Sequence, residues 1–160
     1  MTKDDLVFIV DDDPVFSNVL KFFLLDRGFE NIEIYDNGSE YINNLFKLPK
    51  LVLQDYHVSD KSGKELLEHT LSFDPDIIVV VVSSQQDVEL AVETMRLGAF
   101  DYLIKNEDLK DKLDKILSVV TELNLRIDQF KKKSRNKFIA VIVASIVIAG
   151  IIFLNNYLNN

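Results

Sequence analysis

The chain has no cysteine. That excludes a disulfide framework, a thiolate zinc site and a cysteine nucleophile, and it fits a reducing compartment. Only two histidines, His57 and His69, are present, so a multi-histidine metal site lacks its ligands. Five glycines and three prolines in 160 residues leave little room for disordered or collagen-like structure. What is there in quantity is apolar: 48% of residues are hydrophobic and 28% charged, the balance of a globular chain that buries a core. The length predicts one domain with about thirty residues to spare, not a multidomain enzyme.

The net charge of −8 is unevenly spread. Residues 1–130 carry every acidic group and a balance of −13, whereas residues 131–160 carry five basic groups and no acidic one. An acidic main domain is a poor partner for a phosphate backbone, so nucleic acid is not expected. The basic stretch KKKSRNK precedes Phe138 to Leu154, seventeen residues without charge and with Ser145 as the polar exception. As a helix this run extends about 26 Å, the short end of a membrane span. The alternative is a buried helix or strand, but the run offers solvent no polar face. The preceding lysines and arginine place residues 1–137 in the cytoplasm by the positive-inside bias. The expectation is a single-pass C-terminal anchor in the inner (cytoplasmic) membrane, with Tyr157 at the far interface.

Ahead of the anchor, residues 6–10, 51–53, 77–82 and 102–104 are short apolar runs, mostly β-branched, as in strands buried on both faces. Ile32 to Tyr35 is more polar and suits an edge. Amphipathic stretches intervene at 14–27, 39–46, 62–72 and 87–97, and a long one starts at Glu107. Pro14 fits a first helical turn, and Gly28 and Gly98 stand where helices stop. Five strand–helix alternations predict an α/β fold, a doubly wound five-stranded parallel sheet followed by an extended helix and the membrane helix.

In such a sheet ligands bind at the carboxyl ends of the strands. There the sequence places Asp11-Asp12-Asp13, Asp55, Ser83-Ser84 and Lys105. Converging carboxylates without histidine form a hard oxygen site suited to magnesium. A lysine facing them neutralises a phosphoryl oxygen, and a serine hydroxyl binds another. Phosphoryl chemistry follows. Each residue also has a bland reading: Asp11, Asp12 and Ser83 as helix caps, Lys105 paired with Asp101 on the surface.

These residues together resemble the receiver domains of two-component response regulators, over roughly residues 5–125, with the flavodoxin-like receiver fold. VDDDP matches the acidic pair at Asp11 and Asp12. Asp55 stands at the phosphoacceptor position with Gly63 eight residues on, Ser83 at the hydroxyl position, Tyr102 at the aromatic switch position and Lys105 at the lysine. The resemblance implies that Asp12, Asp55 and the backbone carbonyl of His57 hold Mg2+, with Asp11 acting through its water shell. It implies a phosphoryl group taken by Asp55 from a histidine kinase or histidine phosphotransfer protein, with Ser83 and Tyr102 repacking afterwards. On this reading residues 1–125 form the receiver, 126–137 a helical basic juxtamembrane linker, 138–154 the transmembrane helix and 155–160 a short tail. The chain is then not an enzyme beyond accepting a phosphoryl group, and has no room for an output domain.

Two family prolines are replaced, by Ser59 and Asn106. The bond after the lysine is typically cis in the family, so Lys105–Asn106 is either trans with a shifted loop or strained. Asp13 is expected to cap a helix, His69 to be solvated and Met95 to lie in the core. Leu109, Leu113, Ile116, Val120, Leu123, Ile127 and Phe130 recur at heptad spacing, which points to a homodimer through the extended helix, against a single helix lying on its own domain. Two other readings compete: a phosphorylation-silent receiver-like scaffold, and a haloacid-dehalogenase-like phosphatase built on Asp11-x-Asp13, which leaves Asp55 unexplained.

Overall fold

This computed structural model describes residues 1–84 and 86–126, together with 129, 132, 135 and 139. It divides into two units, Met1–Val119 and Val120–Asn160. The first unit runs β1 (Val7–Val10), α1 (Pro14–Asp26), β2 (Ile32–Tyr35), α2 (Gly38–Asn44) and a single 3-10 turn at Leu45–Lys47. It continues through β3 (Leu51–Asp55), a two-rung hairpin of β4 (His57–Val58) and β5 (Lys61–Ser62), and α3 (Gly63–Phe73). It then adds β6 (Ile78–Ser83), α4 (Val88–Leu97), β7 (Asp101–Ile104) and the start of a helix, α5, at residue 109.

β1, β2, β3, β6 and β7 form one parallel sheet in the order β2-β1-β3-β6-β7. The central strands are the apolar runs, buried throughout in β1 and β3, while the more polar β2 takes one edge. The run at 102–104, expected to be buried on both faces, instead forms the other edge as β7, where only Leu103 is buried because no strand among the described residues covers its outer side. Alternate side chains of a strand face opposite ways, so each run serves two cores. Phe8, Val10, Val52, Val79 and Val81 pack with Tyr41, Leu66 and Leu67 of α2 and α3. The opposite alternation, Ile9, Leu53 and Val80, is equally buried, as are Leu20 and Leu24 of α1 and Leu109, Leu113 and Ile116 of α5. Arg27 holds both carboxylate oxygens of Asp114, and Lys110 pairs with Asp26, tying α1 to α5. Helices therefore cover both faces, as a doubly wound sheet requires.

The helix ends follow local chemistry. Pro14 occupies the first turn of α1, and the Asp13 side chain accepts from the amides of Val15 and Phe16, the capping role expected of it. Gly98 closes α4 at φ 106°, a left-handed conformation that favours glycine. Met95 departs from expectation: it lies 46% exposed on α4, because the core face of that helix is turned through Thr94 and not through Met95.

In the second unit residues 120–126 are helical, with Arg126 paired to Glu122. Leu123 of the heptad seam is exposed, and Ile127 and Phe130 lie outside the described residues. Among the described residues no helix is long and apolar enough to cross a membrane. The expected span, 138–154, lies outside them apart from Ile139.

Candidate functional site

Three strand ends meet at one crevice. Asp11 follows β1, and its amide bonds the carbonyl of Tyr35 on β2 at 3.0 Å, so the residue remains in the frame of the sheet. Asp55 is the last residue of β3, opposite Val82 of β6. Lys105 follows β7, with its amide on the Ser83 carbonyl at 2.8 Å. From there the Lys105 ammonium donates to Asp11 Oδ2 and to Asp55 Oδ2, both at 2.7 Å. Its Nζ also lies 4.2 Å from the centre of the Phe16 ring, which closes one side of the crevice. The bland pairing of Lys105 with Asp101 does not form: Asp101 accepts from the amide of Tyr102.

The second oxygen of each acid is also used. Asp11 Oδ1 accepts from the Asp13 amide at 2.9 Å, and Asp55 Oδ1 from the His57 amide at 3.2 Å. Asp11 is 1% exposed and Asp55 8%. Burial raises the Asp11 pKa above the ordinary carboxylate value, and the Lys105 hydrogen bond offsets only part of that rise. For Lys105 burial works against the charge, but the hydrogen bonds to Asp11 and Asp55 outweigh it and hold the ammonium above the usual lysine value. The lysine is therefore a fixed positive charge at neutral pH.

Asp12 is exposed, and its carboxylate gathers with those of Asp11 and Asp55 so that one ligand oxygen from each lies within 4.8 Å of the others. Three carboxylates against one ammonium leave two negative charges in a small volume. An all-oxygen set of that charge fits a hard divalent cation such as Mg2+. The His57 ring packs edge-on against Tyr56 at 5.1 Å. Ser83 ends β6 fully buried, on the strand beside β3. Tyr102, in register with Val81, lines a groove of about 730 Å³ between α4 and β7 with Val88, Val92 and Met95. The crevice thus unites Asp11, Asp12, Asp55 and Lys105, with Ser83 at its edge, while Tyr102 faces a separate groove.

The Lys105–Asn106 bond is trans, since none of the described peptide bonds is cis. Asn106 does what proline cannot. Its amide donates to the Ile104 carbonyl at 2.8 Å, and its side chain accepts from the Asp108 amide at the approach to α5. Sequence reasoning missed two further neighbours of the site. Phe16 beneath Lys105 gives no signal distinct from a core aromatic. Gln54 is fully buried beside Asp55, and its amide bonds the Gly63 carbonyl at 2.7 Å; a polar residue inside an apolar strand is the signal that marks it.

The family model of the response regulator receiver domain matches residues 7–117. The chain belongs to that family. Among its curated relatives, the transcriptional regulatory protein ZraR of Klebsiella oxytoca is 34% identical over 113 residues, 70% of this chain and 25% of that protein. The regulatory protein AtoC of Escherichia coli K12 is 29% identical over 137 residues, 85% of this chain and 28% of that protein. The receiver described here thus spans about a quarter of the length of these relatives. A CheY-like response regulator receiver domain from Methanospirillum hungatei JF-1 superposes with a TM-score of 0.69 at 27% identity, covering 77% of this chain and 98% of that one.

Proposed function

We propose that the chain is a membrane-tethered phosphoacceptor receiver, taking a phosphoryl group onto Asp55 from a histidine kinase or histidine phosphotransfer protein and signalling through protein contacts. The observation that carries this is the Lys105 ammonium, held 2.7 Å from Asp55 and from Asp11 at the open end of the sheet. An Asp55 oxygen attacks phosphorus, the P–N bond of the donor phosphohistidine breaks, and the freed imidazole takes up a proton. Lys105 then neutralises a phosphoryl oxygen, and Ser83 supplies a hydroxyl to another. Asp12, Asp55 and the backbone carbonyl of His57 would hold Mg2+, with Asp11 acting through its water shell, and the ion would offset charge on the phosphoryl oxygens.

Tyr102 couples the crevice to the groove beside it, where Val88, Val92 and Met95 expose apolar surface. An apolar face of this kind marks a surface for protein contact. Residues 138–154 and the basic stretch before them support the tether, and Leu123 exposed on the continuing helix supports a second copy pairing there. The full chain, mixed with lipid vesicles, phosphoramidate and Mg2+, is expected to sediment with the vesicles and gain one phosphoryl group that EDTA prevents. A chain that stays in the supernatant removes the tether, and label indifferent to EDTA removes the phosphoacceptor reading.

A further inference from the structure

The segment between Asp55 and α3 is weakly built on its own. Its hairpin pairs only His57 with Ser62 and Val58 with Lys61, and a hairpin of that size is not stable alone. Ser59 and Asp60 form the two-residue turn. Among the described residues the one non-glycine with positive φ is Leu48, so this is not one of the primed turns whose twist suits a hairpin. In a turn of negative φ, proline at the first central position presets the backbone. Serine at position 59 leaves it free.

The turn is nonetheless tied down. The Asp60 carboxylate accepts from the amide of Gly38 at 2.6 Å, the amide of Ser39 at 3.0 Å and the Ser39 hydroxyl at 2.5 Å. These are first-turn amides of α2 that its own cap leaves unbonded, since Asn37 takes the Glu40 amide. The approach is close: a Cβ on Gly38 would meet Leu66 Cδ2 at 2.8 Å and Lys61 Cβ at 3.0 Å, so those side chains would have to give way to a larger residue. At the other end of the segment Gly63 donates to the Tyr56 carbonyl at 2.7 Å. Between these ties lies His57, whose amide donates to Asp55 Oδ1.

We infer that Asp60 is a positioning residue for Asp55. By latching the His57–Ser62 hairpin to the start of α2, it holds the His57 backbone against the Asp55 carboxylate, supplying the order that a proline at position 59 otherwise provides. The inference rests on the phosphoacceptor reading above. A mere helix cap for α2 predicts the same hydrogen bonds, but not the same rescue.

The test uses the full chain with phosphoramidate, titrated with Mg2+, alongside hydrogen exchange of the 57–62 amides. Asp60→Ala is expected to exchange faster at those amides, and to be labelled about tenfold more slowly with a higher half-saturating Mg2+ concentration, the scale of a lost outer-shell partner. Adding Ser59→Pro to Asp60→Ala is expected to restore labelling without restoring protection of the Gly38 and Ser39 amides. Wild-type labelling in Asp60→Ala overturns the inference. So does slow labelling that Ser59→Pro fails to rescue, which assigns the loss to α2. A wild-type chain that takes no label removes the phosphoacceptor reading itself, and the inference with it.

Discussion

Lys105→Met is expected to slow phosphoryl transfer to Asp55 by at least about a hundredfold, the effect of removing one preorganised donor to a developing oxyanion. The lysine meets both carboxylates at 2.7 Å with 13% of its side chain exposed, so its charge acts in a crevice that screens it little. The same change leaves Asp11 and Asp55 facing one another without their ammonium. Because Asp11 is buried, loss of its partner is expected to cost about 3 kcal/mol of stability. Bound Mg2+ would offset the charge of the unpaired acids, so the thermal midpoint is expected to rise more with added Mg2+ in the variant than in the wild type. Thermal unfolding with and without Mg2+, beside phosphoramidate labelling, checks both. A variant labelled at the wild-type rate contradicts the role given to Lys105.

The second large effect falls on the backbone. A Cβ on Gly63 meets Tyr56 Cα at 2.5 Å, Tyr56 O at 2.6 Å and Tyr56 C at 2.9 Å. These are main-chain atoms, and the hydrogen bond from Gly63 to the Tyr56 carbonyl pins them there. No rotamer change relieves the clash, so α3 or the chain after Asp55 must move. Gly63→Ala is expected to destabilise the fold by about 3 kcal/mol, at the upper end for an overpacked site. For a domain of this size that lowers the melting temperature by about 10 °C. Circular dichroism melts decide it, and a midpoint within about 2 °C of wild type contradicts the close packing described here. At Gly28 the nearest atoms to a Cβ are the flexible Lys3 side chain at 3.7 Å, and the strain there comes from φ alone.

The sheet was legible because its three central strands are buried on both faces. LVFIV, LVL and IIVVVV carry no alternation to misread, and the polar IEIY could stand only at an edge. The acids and the lysine were legible because each ends a strand, and parallel strands bring their carboxyl ends together. Asp13 and Pro14 announced the start of α1 through capping chemistry that acts within four residues. Other features depend on distant partners. Met95 looked like core by composition, yet its exposure depends on how α4 is rotated over β7. The His57–Ser62 hairpin has neither an Asn-Gly turn nor alternation, and its anchor, Asp60, bonds residues 21 and 22 positions earlier. Gln54 shows its role only once Gly63 is folded back beside it.

The central claim is that Asp55 accepts the phosphoryl group. The most direct test is intact mass of the full chain after incubation with phosphoramidate and Mg2+, beside the Asp55→Asn variant, which keeps the shape of the side chain but removes the nucleophilic carboxylate. One added phosphoryl group on the wild-type chain and none on Asp55→Asn is the predicted result. An equal gain on both, or no gain on a folded wild-type chain that binds Mg2+, contradicts it.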